Sequence, residues 1–235
     1  MQKKRSAAYM TPGEKIAGTV FFVMYLAVLP AAAPHLFRLL ALLLGGPLPD
    51  AVKNAVYYYA LVAVTMVIFH NFLVRTSGLL LDNLSGAASA LAMGLVALYG
   101  LNELVYRLSR LIIGGHTNLN DMAVSAQIAG APHMTALIVI VLAPFVEETL
   151  FRGLVFGCIK ERSRGLAYLV SCLLFALLHV WQFAVVNRDV TYFLLMVQYL
   201  VPGLVLAWAY ETSGTLWTAV GLHAAANALA LWGMA

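Results

Sequence analysis

Charge is the scarcest ingredient of this sequence. Only 10% of its 235 residues are Asp, Glu, Lys or Arg, against ~25% in an ordinary soluble domain. The set AVILMFWYC makes up 63%, more apolar surface than a small globule can hide from water. That excludes a water-soluble cytoplasmic enzyme, a disordered chain and a nucleic-acid-binding domain. Cysteine is nearly absent too. Cys158 and Cys172 both fall in apolar runs, cannot build a disulfide framework and read as small buried residues. There is no Gly-x-Ser-x-Gly elbow, no His-Glu-x-x-His helix and no glycine-rich phosphate loop. Internal repeats and low-complexity tails are also missing.

Long apolar runs take their place. They are continuous rather than alternating, which argues against a transmembrane β-barrel. The fold class is all-α, a polytopic transmembrane helical bundle of seven or eight spans. Seven runs are long enough at ~20 residues each: Ile16–Ala33, Ala51–Leu73, Ala87–Leu111, Met134–Ile159, Leu166–Ala184, Thr191–Tyr210 and Leu216–Trp232. His35–Leu44 is apolar but short; it is a surface helix, a re-entrant piece or the end of a tilted span. The first run also resembles a secretory signal, with Ala31–Ala33 as a cleavage site. The polytopic remainder favours an uncleaved first span.

The net charge of +4 is concentrated in two places. Lys3, Lys4, Arg5 and Lys15 crowd the N-terminus, and Lys160, Arg162 and Arg164 crowd one short turn. Under the positive-inside rule both are cytoplasmic. Four spans between them satisfy the parity if His35–Leu44 does not cross. The stretch Gly114–Pro132, with His116, Asn118, Asn120 and Asp121, reads as an outside loop. Glu103, Arg107 and Arg110 read as an anchoring face near a span end, with Glu103 and Arg107 in the favourable i, i+4 order. Short loops and an Ala- and Leu-rich composition suggest a prokaryotic plasma membrane.

Ionisable groups inside spans are costly and usually mark function. One span carries Glu147, Glu148 and Arg152, the next Phe175 and His179, and the last His223 and Asn227. Glu147 and His179 lie equally far on either side of the basic turn, ~24 Å along each helix, so they stand at matching depth. His223 and Asn227 lie ~15–21 Å from the turn at Thr212–Gly214, a similar level. Glu148 and Arg152 are an i, i+4 acid–base pair. Glu147 is rotated ~100° away and is left free for chemistry. Pro144 removes a backbone donor just before it and can bend the helix. Gly153 and Gly157 form a small-residue packing face. A carboxylate beside an imidazole can deprotonate water. Two aimed donors, His223 and Asn227, suit a developing oxyanion.

These motifs, Glu-Glu-x-x-x-Arg at 147–152, Phe-x-x-x-His at 175–179 and His-x-x-x-Asn at 223–227, resemble the CAAX protease and bacteriocin-processing family. It is also called the Abi or type II CAAX-prenyl endopeptidase family. The resemblance covers roughly Met134–Trp232. It divides the single membrane domain, 1–235, into N-terminal spans and polar loop, 1–133, and a catalytic core, 134–233. It implies a glutamate-dependent intramembrane endopeptidase with a helical, usually eight-span, core. Glu147 and His179 would activate water, His223 and Asn227 would hold the oxyanion, and Glu148 and Arg152 would support them. The implied partners are membrane lipid and a membrane-associated peptide or protein substrate, prenylated or of the peptide-pheromone or bacteriocin type; no nucleic acid is implied. No cofactor is implied, although Glu147, His179 and His223 also read as a His₂Glu zinc set with an open position. Two other classes share such residues: a non-catalytic immunity or scaffold protein, and a proton-coupled transporter, which inverted repeats or broken helices would favour.

Overall fold

The computed structural model describes residues 9–113 and 119–234. Among these residues the chain forms helices and no strand. Six helices are long and apolar enough to cross a membrane. The first, α1, runs without interruption over Pro12–Leu43. It takes in the short run His35–Leu44 up to Leu43, which continues the first helix without a break. The second, α2, spans Asp50–Ile68. The chain then breaks at Phe69 and makes a short helix, α3, over His70–Asp82. The expected run to Leu73 therefore stops early, because a second helix starts there. The long helix α4 covers Leu84–Ile113, and α5 covers Leu119–Gly130.

That last helix corrects the expected loop at Gly114–Pro132. Its run Met122–Ile128 is mostly Ala, Val, Met and Ile, and helix-compatible polar residues do not prevent it from forming. His116 and Asn118 lie outside the described residues. Of the anchoring face, Arg107 Nε donates to Glu103 Oε1 at 2.7 Å; the Arg110 side chain, like Lys3, Lys4 and Arg5, lies outside the described part. Three long helices follow: α6, Pro132–Lys160; α7, Arg164–Asn187; and α8, Val190–Ser213, whose first turns are 3₁₀. The last helix, α9, covers Leu216–Met234 and falls outside the six.

One end of the bundle is tied by polar contacts. Lys15 at the start of α1 bridges Glu161 at the basic turn at 2.6 Å. Glu211 near the end of α8 takes Lys160 and Arg164, each at 2.9 Å, and the Tyr168 hydroxyl at 2.7 Å. The buried Glu14 accepts the Phe72 N–H at 2.7 Å while completing a capping box with Thr11. Thr76 on α3 accepts the first N–H of α9, from Leu216, at 2.7 Å. The N-terminal helix and the basic turn therefore share a side, as the charge parity requires. Along the flanks, Val67, Val186 and Trp232 are about four-fifths exposed, an outer surface suited to lipid rather than water.

Three turns within these long helices are π-helical: Met24–Val28, Ile138–Leu142 and Thr149–Phe156. The first two share a cause. Pro30 and Pro144 sit inside continuous helices, where a proline ring clashes with the carbonyl four residues earlier. In each case the turn just before the proline widens, with Leu29 N–H bonding the Met24 carbonyl and Ala143 N–H bonding the Ile138 carbonyl. Widened turns of this kind recur at functional sites.

Close packing sets α1 against α2. A Cβ on Gly18 would stand 2.6 Å from two carbons of the Phe69 ring, which is fully buried. Gly18→Ala is expected to destabilise the protein by about 1–3 kcal/mol through overpacking. Thermal unfolding in detergent checks this; an unchanged midpoint would mean the ring moves aside freely.

Candidate active site

The Glu148 carboxylate meets two charged or polar side chains through one of its oxygens. It is fully buried, as is Arg152. Arg152 Nη1 donates to Glu148 Oε1 at 3.1 Å, the pair that the i, i+4 spacing predicts. The same oxygen meets His223 Nδ1 at 2.8 Å. Arg152 Nη2 donates to the Gly203 carbonyl on α8 at 3.2 Å, and its guanidinium lies 4.3 Å over the Phe175 ring. The Glu148–Arg152 pair thus connects α6, α7, α8 and α9. The links to His223 and Gly203 are not visible in the spacing of α6 alone.

Glu147, one residue earlier, points elsewhere. It is 8% exposed and lines a cavity of about 1030 Å³. His179, His223 and Asn227 line the same cavity. The four side chains thus share one space. Within it, the Tyr25 hydroxyl donates to Glu147 Oε1 at 3.5 Å, and Glu147 Oε2 has no hydrogen-bond partner. No hydrogen bond joins Glu147 to His179 directly.

The ring of His179 is held by two aromatic neighbours and at one nitrogen. It stacks on Tyr199 with centroids 4.5 Å apart and packs against Phe175 at 4.7 Å. Its Nδ1 lies 2.8 Å from the Phe175 carbonyl. A carbonyl only accepts, so Nδ1 carries the proton and Nε2 is the acceptor in the neutral ring. Phe175 therefore does more than pack beside one imidazole: it touches His179, His223 and Arg152 together.

Asn227 is held by the widened turn before Pro144. In the register set by Ala143 and Ile138, the Val139 carbonyl would next receive the N–H of residue 144. Proline has none. Asn227 Nδ2 supplies the missing donor at 2.7 Å. The bend expected at Pro144 is thus a widened turn whose open carbonyl anchors a residue of another helix. His223 and Asn227 are each held by an α6 partner, through Nδ1 and through one amide hydrogen.

The candidate zinc ligands do not gather. Among the described residues no group of three His, Cys, Asp or Glu side chains could hold a metal ion. His223 Nδ1 is committed to Glu148.

Residues 129–229 match the family model of the type II CAAX prenyl endopeptidases described as Rce1-like. This segment is similar to that family. No curated protein and no solved structure matches the chain. The Rce1-like segment contains all six side chains first singled out, Glu147, Glu148, Arg152, His179, His223 and Asn227. It contains Phe175, Tyr199 and Gly203 as well, but not Tyr25. The family is one of endopeptidases, and the apolar helices make this an integral membrane protein.

Arg152→Ala strips a buried carboxylate of its cation and unlinks α6 from α8. The expected loss is about 3–5 kcal/mol of stability, read as a lower unfolding midpoint in detergent. A variant as stable as the parent would show that Glu148 does not depend on Arg152.

Proposed function

We propose that the protein is an intramembrane endopeptidase that hydrolyses a peptide bond of a membrane-associated substrate with a water molecule activated by Glu147 and His179. The observation that supports this reading is one shared cavity lined by a carboxylate with an unpartnered oxygen together with His179, His223 and Asn227. A water there has two acceptors, Glu147 Oε2 and His179 Nε2, and turns a lone pair toward the substrate. Glu147 takes one proton as the water oxygen bonds to the scissile carbonyl carbon. The oxyanion receives His223 Nε2–H, in the protonated ring, and the second amide hydrogen of Asn227. The C–N bond then breaks, and the proton held by Glu147 passes to the departing nitrogen. Glu148 and Arg152 act through His223 by fixing its ring. The substrate is a peptide presented from the membrane, prenylated or of the peptide-pheromone or bacteriocin type, and the enzyme sits in a prokaryotic plasma membrane with its N-terminus cytoplasmic.

Two outcomes follow for purified protein given farnesylated and unmodified apolar peptides in liposomes. Glu147→Gln is expected to lower cleavage by at least about 10²–10⁴-fold, the scale of losing a general base, with folding intact; an active variant removes Glu147 from that role. Treatment with EDTA or phenanthroline is expected to leave cleavage unchanged. Loss that added zinc restores would move the mechanism to a metal.

A further inference from the structure

The cavity is not built by the Rce1-like segment alone. Tyr25, Tyr57 and Tyr58 line it from α1 and α2. Of these, Tyr25 reaches the carboxylate. It is 5% exposed, and its hydroxyl is the single donor to Glu147 found among the described side chains. The neighbouring Glu148 has both a guanidinium and an imidazole on its Oε1, while its Oε2, like that of Glu147, has no hydrogen-bond partner among the described residues. The 3.5 Å separation is long, of the kind that tightens when a substrate closes the site.

The backbone explains why this side chain is there. Tyr25 lies within the widened turn Met24–Val28, which accommodates Pro30. The same device on α6 holds Val139 against Asn227. Widened turns before two prolines on different helices thus accompany two residues that line one cavity.

We infer that Tyr25 is a positioning residue for Glu147: its hydroxyl holds Oε1 and leaves Oε2 as the atom that takes the proton from water. The inference rests on the reading of Glu147 as the base. A hydrogen bond to the ionised carboxylate fixes its plane and assigns one oxygen to structure and the other to chemistry. It also makes the N-terminal helix part of the catalytic apparatus.

The test is Tyr25→Phe, which keeps the ring and deletes the donor, measured beside Glu147→Gln on the same liposome-bound apolar peptide. A second variant carries 3-fluorotyrosine at position 25, which restores the hydroxyl. The expected result is kcat lowered about 10- to 100-fold in Tyr25→Phe, the scale of one hydrogen bond to a charged group. KM and the melting midpoint stay at parent values, and 3-fluorotyrosine brings kcat back. Parent kcat in Tyr25→Phe, with Glu147→Gln inactive, overturns the positioning role and leaves the proposed mechanism standing. A loss confined to KM, or a lowered melting midpoint, overturns it in favour of a binding or packing role. An active Glu147→Gln overturns the mechanism itself.

Discussion

A carboxylate with no exposed surface, inside helices that face lipid, has to be satisfied by the protein. Its desolvation is too costly to leave unmatched. Glu148 is in that position, and Arg152 and His223 answer it through Oε1. Arg152 comes from the same helix one turn on, His223 from α9 and the backbone of Gly203, through Arg152, from α8. These contacts fix the relative rotation of three helices. A helix turned by one residue would swing its polar group ~100° out of reach. Apolar packing tolerates small rotations far better than a hydrogen-bonded ion pair does. The pair therefore supplies registry, and the cavity beside it inherits that registry.

Glu147 shows the consequence. Adjacent in sequence, it cannot share its neighbour's partners, because the helical phase turns it to another face. One residue's offset separates a carboxylate tied into structure from one that faces open space. His179 is fixed by an independent set of contacts, the Phe175 carbonyl and the Tyr199 ring. The two groups meet only through the cavity, with no bond between them. That is the geometry a bound water and substrate would complete.

Much of this was legible beforehand. Counting residues from the two turns put Glu147, His179, His223 and Asn227 at one level, and the i, i+4 rule paired Glu148 with Arg152. Both follow from helix geometry, which a continuous apolar run imposes without knowledge of tertiary contacts. What escaped were contacts made across helices. His223 and Asn227 share a face, but nothing in their spacing says that Glu148 and the Val139 carbonyl would claim them. The short helix α3 was hidden because the break at Phe69 falls in a run as apolar as its surroundings. The count of spans rested on His35–Leu44, whose helical continuity with α1 depends on how Pro30 and Pro34 are absorbed.

Those prolines carried a signal that goes further than a bend. A proline inside a helix leaves one carbonyl without its N–H and crowds another. A kinked helix exposes both problems, whereas a widened turn removes the crowding and leaves a single free acceptor aimed sideways. On α6 that acceptor is Val139, and Asn227 reaches it. On α1 the widened turn carries Tyr25, the side chain nearest to donating to Glu147. Pro30 and Pro144 lie on helices from opposite halves of the chain, yet both act on the same cavity. The Rce1-like segment supplies the acids, imidazoles and amide, while α1 and α2 close the space around them. The cavity is built from both halves of the chain, because Tyr25 on the first helix stands 3.5 Å from the Glu147 carboxylate on α6.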